Sequence, residues 1–81
     1  MSSESNKQLG IKAFKEKDFH KAIEYFSKAL EIDGENHELY SNRSACYLNL
    51  NQYENALQDG EKCIKIKPDW IKGYFRKAKA L

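Results

Sequence analysis

Apolar residues recur at intervals of three and four along the second quarter of the chain. This spacing places six apolar side chains on one face of a helix: Phe19, Ala22, Ile23, Phe26, Ala29 and Leu30. A matching set returns 34 positions later, as Tyr53, Ala56, Leu57, Gly60, Cys63 and Ile64. Only the pair of Phe26 and Gly60 breaks the match. The pattern predicts an all-α chain that contains an internal repeat of helix pairs.

Five helices fit this period, and we predict them at about 5–16, 19–32, 38–50, 53–66 and 70–81. Asp18 and Asn51 are predicted to cap the second and fourth helices, and Asp69 the fifth, through side-chain oxygens that accept from free N–H groups. Asp33 and Gly34 predict a turn between repeats, and Pro68 disfavours helix at the residue before it. We therefore expect one domain over 1–81, with repeat 1 at about 3–36, repeat 2 at about 37–70 and a partial repeat 3 at about 71–81.

The predicted fifth helix carries two kinds of side chain on different faces. Its apolar face is expected to pack, and it consists of Ile71, Tyr74, Phe75, Ala78 and Leu81. Lys72 and Arg76 lie off that face. Gly60, which stands where the first repeat has Phe26, predicts the close approach of a bulky residue from the fifth helix, such as Tyr74 or Trp70. The alternative is that Gly60 is simply a weak point in the fourth helix.

Composition excludes several classes of protein. The chain has 81 residues, 41% hydrophobic and 32% charged, which is an ordinary balance for one small domain. No apolar run approaches the roughly 18 residues of a membrane span, and the polar N-terminus lacks a secretory signal, so we expect a cytoplasmic protein. Cys46 and Cys63 are expected to be buried thiols. Neither cysteine has a histidine or cysteine at ligand spacing, and no phosphate-binding loop or nucleophile motif is present, so we expect no metal, no cofactor and no enzymatic activity.

Charge is distributed unevenly along the chain. The stretch 62–81 has seven basic residues and one acidic residue, whereas 1–61 has seven basic and eleven acidic residues. The basic end of the chain favours an anionic partner, or it is simply the solvated surface of a helix. Charge alone leaves both interpretations open.

Two segments carry a resemblance to a known family. They are Tyr-Ser-Asn-Arg-Ser-Ala-Cys-Tyr at 40–47 and Lys-Gly-Tyr-Phe-Arg-Lys-Ala at 72–78. With the 34-residue period, they make the chain resemble, over nearly its whole length, the tetratricopeptide-repeat domains of stress-inducible co-chaperones that bridge the major heat-shock chaperones. The resemblance implies a superhelix of antiparallel helix pairs, with two full repeats plus the first helix of a third, that serves as a protein-interaction module.

The resemblance also implies a partner and a site. Chaperone-binding members hold the C-terminal carboxylate of an acidic Glu-Glu-Val-Asp tail with five side chains, and this sequence supplies four of them: Lys7, Asn42, Lys72 and Arg76. Ile11 stands where the family has an asparagine, and an isoleucine can neither donate nor accept a hydrogen bond. A general repeat scaffold without carboxylate recognition is the main alternative. Nucleic-acid binding by the basic fifth helix is the weaker alternative, because Tyr74 and Phe75 are expected to pack.

The number of repeats suggests one more expectation. Arrays of this kind need about three repeats for a continuous core, and this chain has two and a half. We therefore expect a fragment or a shortened form of a longer protein. The uncovered face of the last helix is expected to promote self-association.

Overall fold

A computed structural model describes residues 2–81, except for the side chain of Ile71. It contains five helices: α1 (Ser3–Lys15), α2 (Phe19–Ile32), α3 (His37–Asn49), α4 (Tyr53–Ile66) and α5 (Ile71–Ala80). No strand occurs among the residues described. The all-α prediction is confirmed, and the predicted bounds of α2 and α4 agree with the structure at both ends. None of these helices is long and apolar enough to cross a membrane.

The helices form antiparallel pairs. The start of α1 meets the end of α2, where the Ser3 hydroxyl donates to the Ala29 carbonyl at 3.2 Å. At the other end of the pair, the rings of Phe14 and Phe19 pack edge to face with centroids 5.4 Å apart. α3 and α4 are joined in the same way, since the buried Ser44 hydroxyl donates to the Ala56 carbonyl at 2.8 Å. The repeat boundaries given above stay predictions.

The core lies between α1, α2 and α3. Phe26 on α2 is 1% exposed, and Leu39 on α3 is fully buried. Gly10 on α1 makes room for the ring, because a Cβ atom at this position would lie 2.6 Å from Phe26 Cε1. The missing side chain therefore lets α1 lie directly on the aromatic ring of α2.

Side-chain caps start the first three helices. Ser2 Oγ accepts from the Ser5 amide at 3.0 Å, and Asp18 Oδ1 accepts from the Lys21 amide at 3.2 Å, as predicted for Asp18. Asn36 Oδ1 accepts from the Glu38 amide at 3.0 Å. These bonds satisfy N–H groups that the first turn of a helix leaves free.

The caps predicted for the fourth and fifth helices are wrong. α4 begins after Gln52 and α5 after Trp70, and neither residue makes a side-chain cap bond. Asn51 instead has a φ of 60°, a left-handed conformation that asparagine adopts more readily than most residues, and it accepts from the Tyr53 hydroxyl at 2.9 Å. Asp69 lies 4.0 Å from Lys67 Nζ at the surface. Both residues therefore belong to the turns rather than to the helix starts.

Backbone rather than a bulky side chain fills the space at Gly60. A Cβ atom here would lie 3.0 Å from the Lys77 nitrogen and 3.3 Å from the Lys77 Cα. On the facing side, a Cβ atom at Gly73 would lie 3.2 Å from Cys63 Sγ. The prediction that the fifth helix approaches Gly60 is thus confirmed, but the prediction of Tyr74 or Trp70 is wrong. Two glycines set the spacing of α4 and α5.

The apolar face predicted for α5 does not pack in this structure. Tyr74 is 50% exposed, Phe75 51% and Leu81 81%, and Ala78 is exposed as well, whereas the side chain of Ile71 lies outside the described part. Gly73 and Ala80 are buried instead. Because the two glycines draw the α4 and α5 backbones together, the side of α5 that contains Gly73 meets α4 and the aromatic residues face outward. Self-association through this face stays a prediction, which sedimentation at high protein concentration would test.

The glycine contact makes a prediction for stability. Gly60→Ala places a methyl group against the backbone of α5, which cannot move without separating the helices. Overpacking typically costs about 1–3 kcal/mol, and the better helix propensity of alanine returns up to about 1 kcal/mol. We expect a net loss of about 1–2 kcal/mol in urea unfolding. Gly34→Ala is the control, since only the Leu30 carbonyl lies nearby, at 3.4 Å; equal stabilities of the two variants would contradict this packing.

Burial of Cys46 makes a prediction for pH dependence. Burial raises the pKa of this thiol from its ordinary value of 9.0 to about 12. Above pH 9 the unfolded chain therefore loses the proton while the folded chain keeps it, so stability falls as pH rises between 9 and 12. The wild-type protein should lose about 1 kcal/mol more than Cys46→Ala between pH 8 and pH 10 in urea unfolding. Parallel pH profiles for the two proteins would show that the thiol does not contribute.

Candidate functional site

One surface of the molecule is formed by α1, α3 and α5, the first helices of successive pairs. α3 lies in contact with both of the other two helices. Helix geometry places residues three or four positions apart on one face. We call this surface the groove and define it by seven side chains: Lys7, Ile11, Lys15, Glu38, Asn42, Lys72 and Arg76.

A cavity of about 300 Å³ opens in the middle of the groove. Four side chains make it largely apolar: Ile11, Phe14, Phe26 and Ala45. Three polar side chains border it, namely Lys15 from α1, Asn42 from α3 and Arg76 from α5. An apolar cavity with a few convergent polar groups is the usual form of a ligand site.

Arg76 is the most unusual cation of the groove. It is half-buried, and its Nε donates to the Ser41 carbonyl at 3.2 Å and to the Ser41 hydroxyl at 3.3 Å. Burial lowers the pKa of its guanidinium, which nevertheless stays charged at neutral pH. Among the residues described, no carboxylate lies within 4.0 Å of it. The two terminal nitrogens of Arg76 are therefore available to an anion.

Arg43 shows what a fully paired arginine looks like in the same molecule. Its Nε and Nη2 donate to the two Asp59 carboxylate oxygens at 2.7 and 2.8 Å, and its Nη1 donates to the Ser27 hydroxyl at 3.1 Å. The hydrogen bond with Asp59 raises the pKa of Arg43. This side chain connects α3 to α4 and α2, so its role is to stabilise the fold.

Asn42 lies next to Arg43 in sequence but faces the cavity. It is half-buried, and within the described part of the chain its amide makes no hydrogen bond at all. Asn49 differs, because its amide donates to the Ala45 carbonyl at 2.8 Å. The amide of Asn42 on α3 and the guanidinium of Arg76 on α5 therefore provide hydrogen-bond donors from two helices to the same cavity.

The two lysines named from the sequence lie outside the cavity. Lys7 is 20% exposed, and its Nζ lies 3.9 Å from Glu38 Oε1 across the α1–α3 contact. Lys72 is exposed, with its Nζ 5.7 Å from the centre of the Trp70 ring. The structure thus brings Ile11, Asn42 and Arg76 to one cavity, whereas Lys7 and Lys72 do not line it.

Sequence reasoning missed two features of the groove. They are the position of Lys15 at the cavity and the ion pair of Lys7 with Glu38, whose place on the groove face of the third helix was expected. The helical period contained a signal for both, since Lys15 is one turn after Ile11 and Glu38 is one turn before Asn42.

Comparison with known proteins agrees with this architecture. A family model described as "Serine/threonine-protein kinase BSK1-like, TPR repeats" matches residues 2–78. The chain therefore belongs to the tetratricopeptide-repeat family, and the predicted superhelical fold class of two helix pairs plus one helix is confirmed.

Among curated proteins, the chain is similar to the heat shock protein sti1 homolog of Schizosaccharomyces pombe. The two are 51% identical over 79 residues, which cover 98% of this chain and 13% of that protein. Because the chain spans about an eighth of the length of this relative, the similarity concerns one segment of a longer protein.

Two solved structures also resemble the chain. One is the TPR2B domain of yeast Sti1 in complex with an Hsp70 peptide, with a TM-score of 0.93, 28% identity and coverage of 96% of this chain and 62% of that one. The other is the second TPR of Spaghetti (RPAP3) bound to the HSP90 peptide SRMEEVD, with a TM-score of 0.94, 32% identity and coverage of 96% and 72%.

The two arginines should respond differently to substitution. Arg43→Gln leaves Asp59, whose side chain is 7% exposed, without its cation, and breaking such a pair costs about 3–5 kcal/mol. Arg76→Gln leaves no buried carboxylate without a partner, so we expect the free energy of unfolding to change by no more than about 1 kcal/mol. Urea unfolding followed by circular dichroism measures both. Equal losses in the free energy of unfolding would show that Arg76, like Arg43, stabilises the fold.

Proposed function

We propose that this chain is a protein-interaction module of a co-chaperone that binds the acidic C-terminal tail of heat-shock chaperones in the groove. The tail is of the Glu-Glu-Val-Asp type, as in the HSP90 peptide bound to the related Spaghetti domain. Arg76 and Asn42 bind the terminal carboxylate, while Lys7 and Lys72 supply positive charge for the neighbouring acidic side chains. The module binds a peptide and has no catalytic role, and its setting is cytoplasmic.

The observation that carries the proposal is that Arg76 lacks a carboxylate partner among the described residues and lines the same cavity as Asn42. A half-buried guanidinium has already lost part of its hydration, so a carboxylate can bind it at a lower desolvation cost than a fully solvated side chain. Arginine offers a planar fork that matches the two oxygens of a carboxylate, and asparagine adds a neutral donor. The apolar cavity between them accommodates a hydrophobic side chain next to the terminal residue.

The energies of these contacts are compatible with a useful complex. Hydrogen bonds to charged groups contribute roughly 1.5–3 kcal/mol each, and micromolar affinity requires about 8 kcal/mol. One such bond is insufficient, whereas several that converge on one carboxylate and its acidic neighbours suffice. Ile11 removes one donor from the set, so we expect weaker binding than a groove with asparagine at that position would give.

Calorimetric titration with two peptides ending in Glu-Glu-Val-Asp tests the proposal. One peptide has a free C-terminal carboxylate, and the other is amidated. We expect micromolar binding of the free acid and at least tenfold weaker binding of the amide. Arg76→Gln should weaken binding of the free acid by about tenfold to a hundredfold, because it removes the fork that faces the carboxylate.

Lys79→Gln is the matched control, since it removes one charge from the same helix at an exposed position outside the cavity. It should change the affinity by less than about threefold, because a solvated charge acts only through screened, long-range attraction. Absent or equal binding of the two peptides would rule out carboxylate recognition and leave a general repeat scaffold as the function.

A further inference from the structure

The α1 side of the cavity lacks the neutral donor that a carboxylate would need there. Ile11 contributes a branched apolar side chain to the cavity. The nearest cation toward the start of the helix, Lys7, is 3.9 Å from the Glu38 carboxylate, which competes with any anionic ligand for it. A peptide carboxylate at the cavity would therefore meet donors from α3 and α5 but none from positions 7 and 11.

Lys15 is in a position to fill this gap. It lies one turn after Ile11 on α1 and borders the same cavity as Asn42 and Arg76. It is exposed, and no carboxylate lies within ion-pair distance of it among the residues described. The long stem of a lysine can follow apolar surface while its ammonium reaches polar partners. The cavity wall formed by Ile11 and Phe14 offers such a surface.

We propose that Lys15 supplies the α1 donor that Ile11 cannot provide, and that it binds the carboxylates of the acidic tail together with Asn42 and Arg76. This inference rests on the proposed function and specifies which residues of the groove carry it. The cationic centre then lies toward the C-terminal end of α1, with Lys7 held by Glu38 at the other end.

Lys12 provides the comparison that separates this role from general charge. It belongs to the same helix and carries the same charge, but it does not line the cavity and instead lines two other surface pockets together with Leu9. Both lysines are exposed, so replacing either one should leave the fold intact. Circular dichroism of the variants checks this directly.

The experiment is a double-mutant cycle of positions 11 and 15 that uses the free-acid Glu-Glu-Val-Asp peptide. We expect Lys15→Ala to weaken binding about tenfold, whereas Lys12→Ala changes it by less than about threefold. Ile11→Asn should tighten binding about tenfold by restoring a donor. In the Ile11→Asn background, Lys15→Ala should cost less than about threefold, because the two side chains serve the same carboxylate.

The outcomes distinguish this inference from the proposed function. If the wild-type protein binds the free acid and not the amide, but Lys15→Ala resembles Lys12→Ala, the function stands and the role of Lys15 is overturned. An equal loss for Lys15→Ala in both backgrounds would also overturn it, since Lys15 would then act independently of position 11. Failure of the wild-type protein to prefer the free acid overturns both.

Discussion

The ion pair of Arg43 and Asp59 fixes the orientation of α3, on which the groove depends. It joins the middle helix pair at two short hydrogen bonds, and the third bond of Arg43, to Ser27, ties α3 to α2. Because successive residues of a helix point about 100° apart, Arg43 can bind α2 and α4 while the neighbouring Asn42 points to a different side of α3, where it lines the cavity. The ion pair that joins α3 to α4 thus also orients the side of α3 on which Asn42 lies.

The position of Arg76 follows from a different constraint. Gly60 and Gly73 let the backbones of α4 and α5 approach closely. In this position α5 also contacts α3, and Arg76 reaches the Ser41 carbonyl. The outcome is two arginines in one small domain with opposite roles. One is neutralised by a buried carboxylate and stabilises the fold, whereas the other is partly desolvated and lacks an acidic partner among the described residues.

Much of the fold could be predicted from periodicity, because packing faces repeat every three or four residues. Phe19–Ile32 and Tyr53–Ile66 were recovered at both ends for this reason. The cap of α4 could not be predicted in this way, since Asn51 adopts a left-handed turn conformation that a cap pattern does not reveal. The exposed positions of Tyr74 and Phe75 follow from the glycine contact, which is a property of two helices together.

The groove, like the fold, has some features that could be predicted from the sequence and others that depend on how the helices pack. Asn42 and Arg76 were found from the resemblance and lie at one cavity, whereas the ion pair of Lys7 with Glu38 depends on how α1 and α3 are placed. Lys15 borders the same cavity, where Ile11 provides no hydrogen-bond donor from α1. A motif therefore identified the donors of α3 and α5, and the structure was needed to find the candidate on α1.

Arg76, and not Arg43, is the arginine that is open to a carboxylate. The most direct measurement is nuclear magnetic resonance of the two arginine Nε–Hε groups during addition of a peptide that ends in Glu-Glu-Val-Asp. The Arg76 resonance should move when the free-acid peptide is added and stay in place with the amidated peptide, while the Arg43 resonance should stay in place with both. An unmoved Arg76 resonance, or equal shifts with both peptides, would show that Arg76 does not bind the terminal carboxylate.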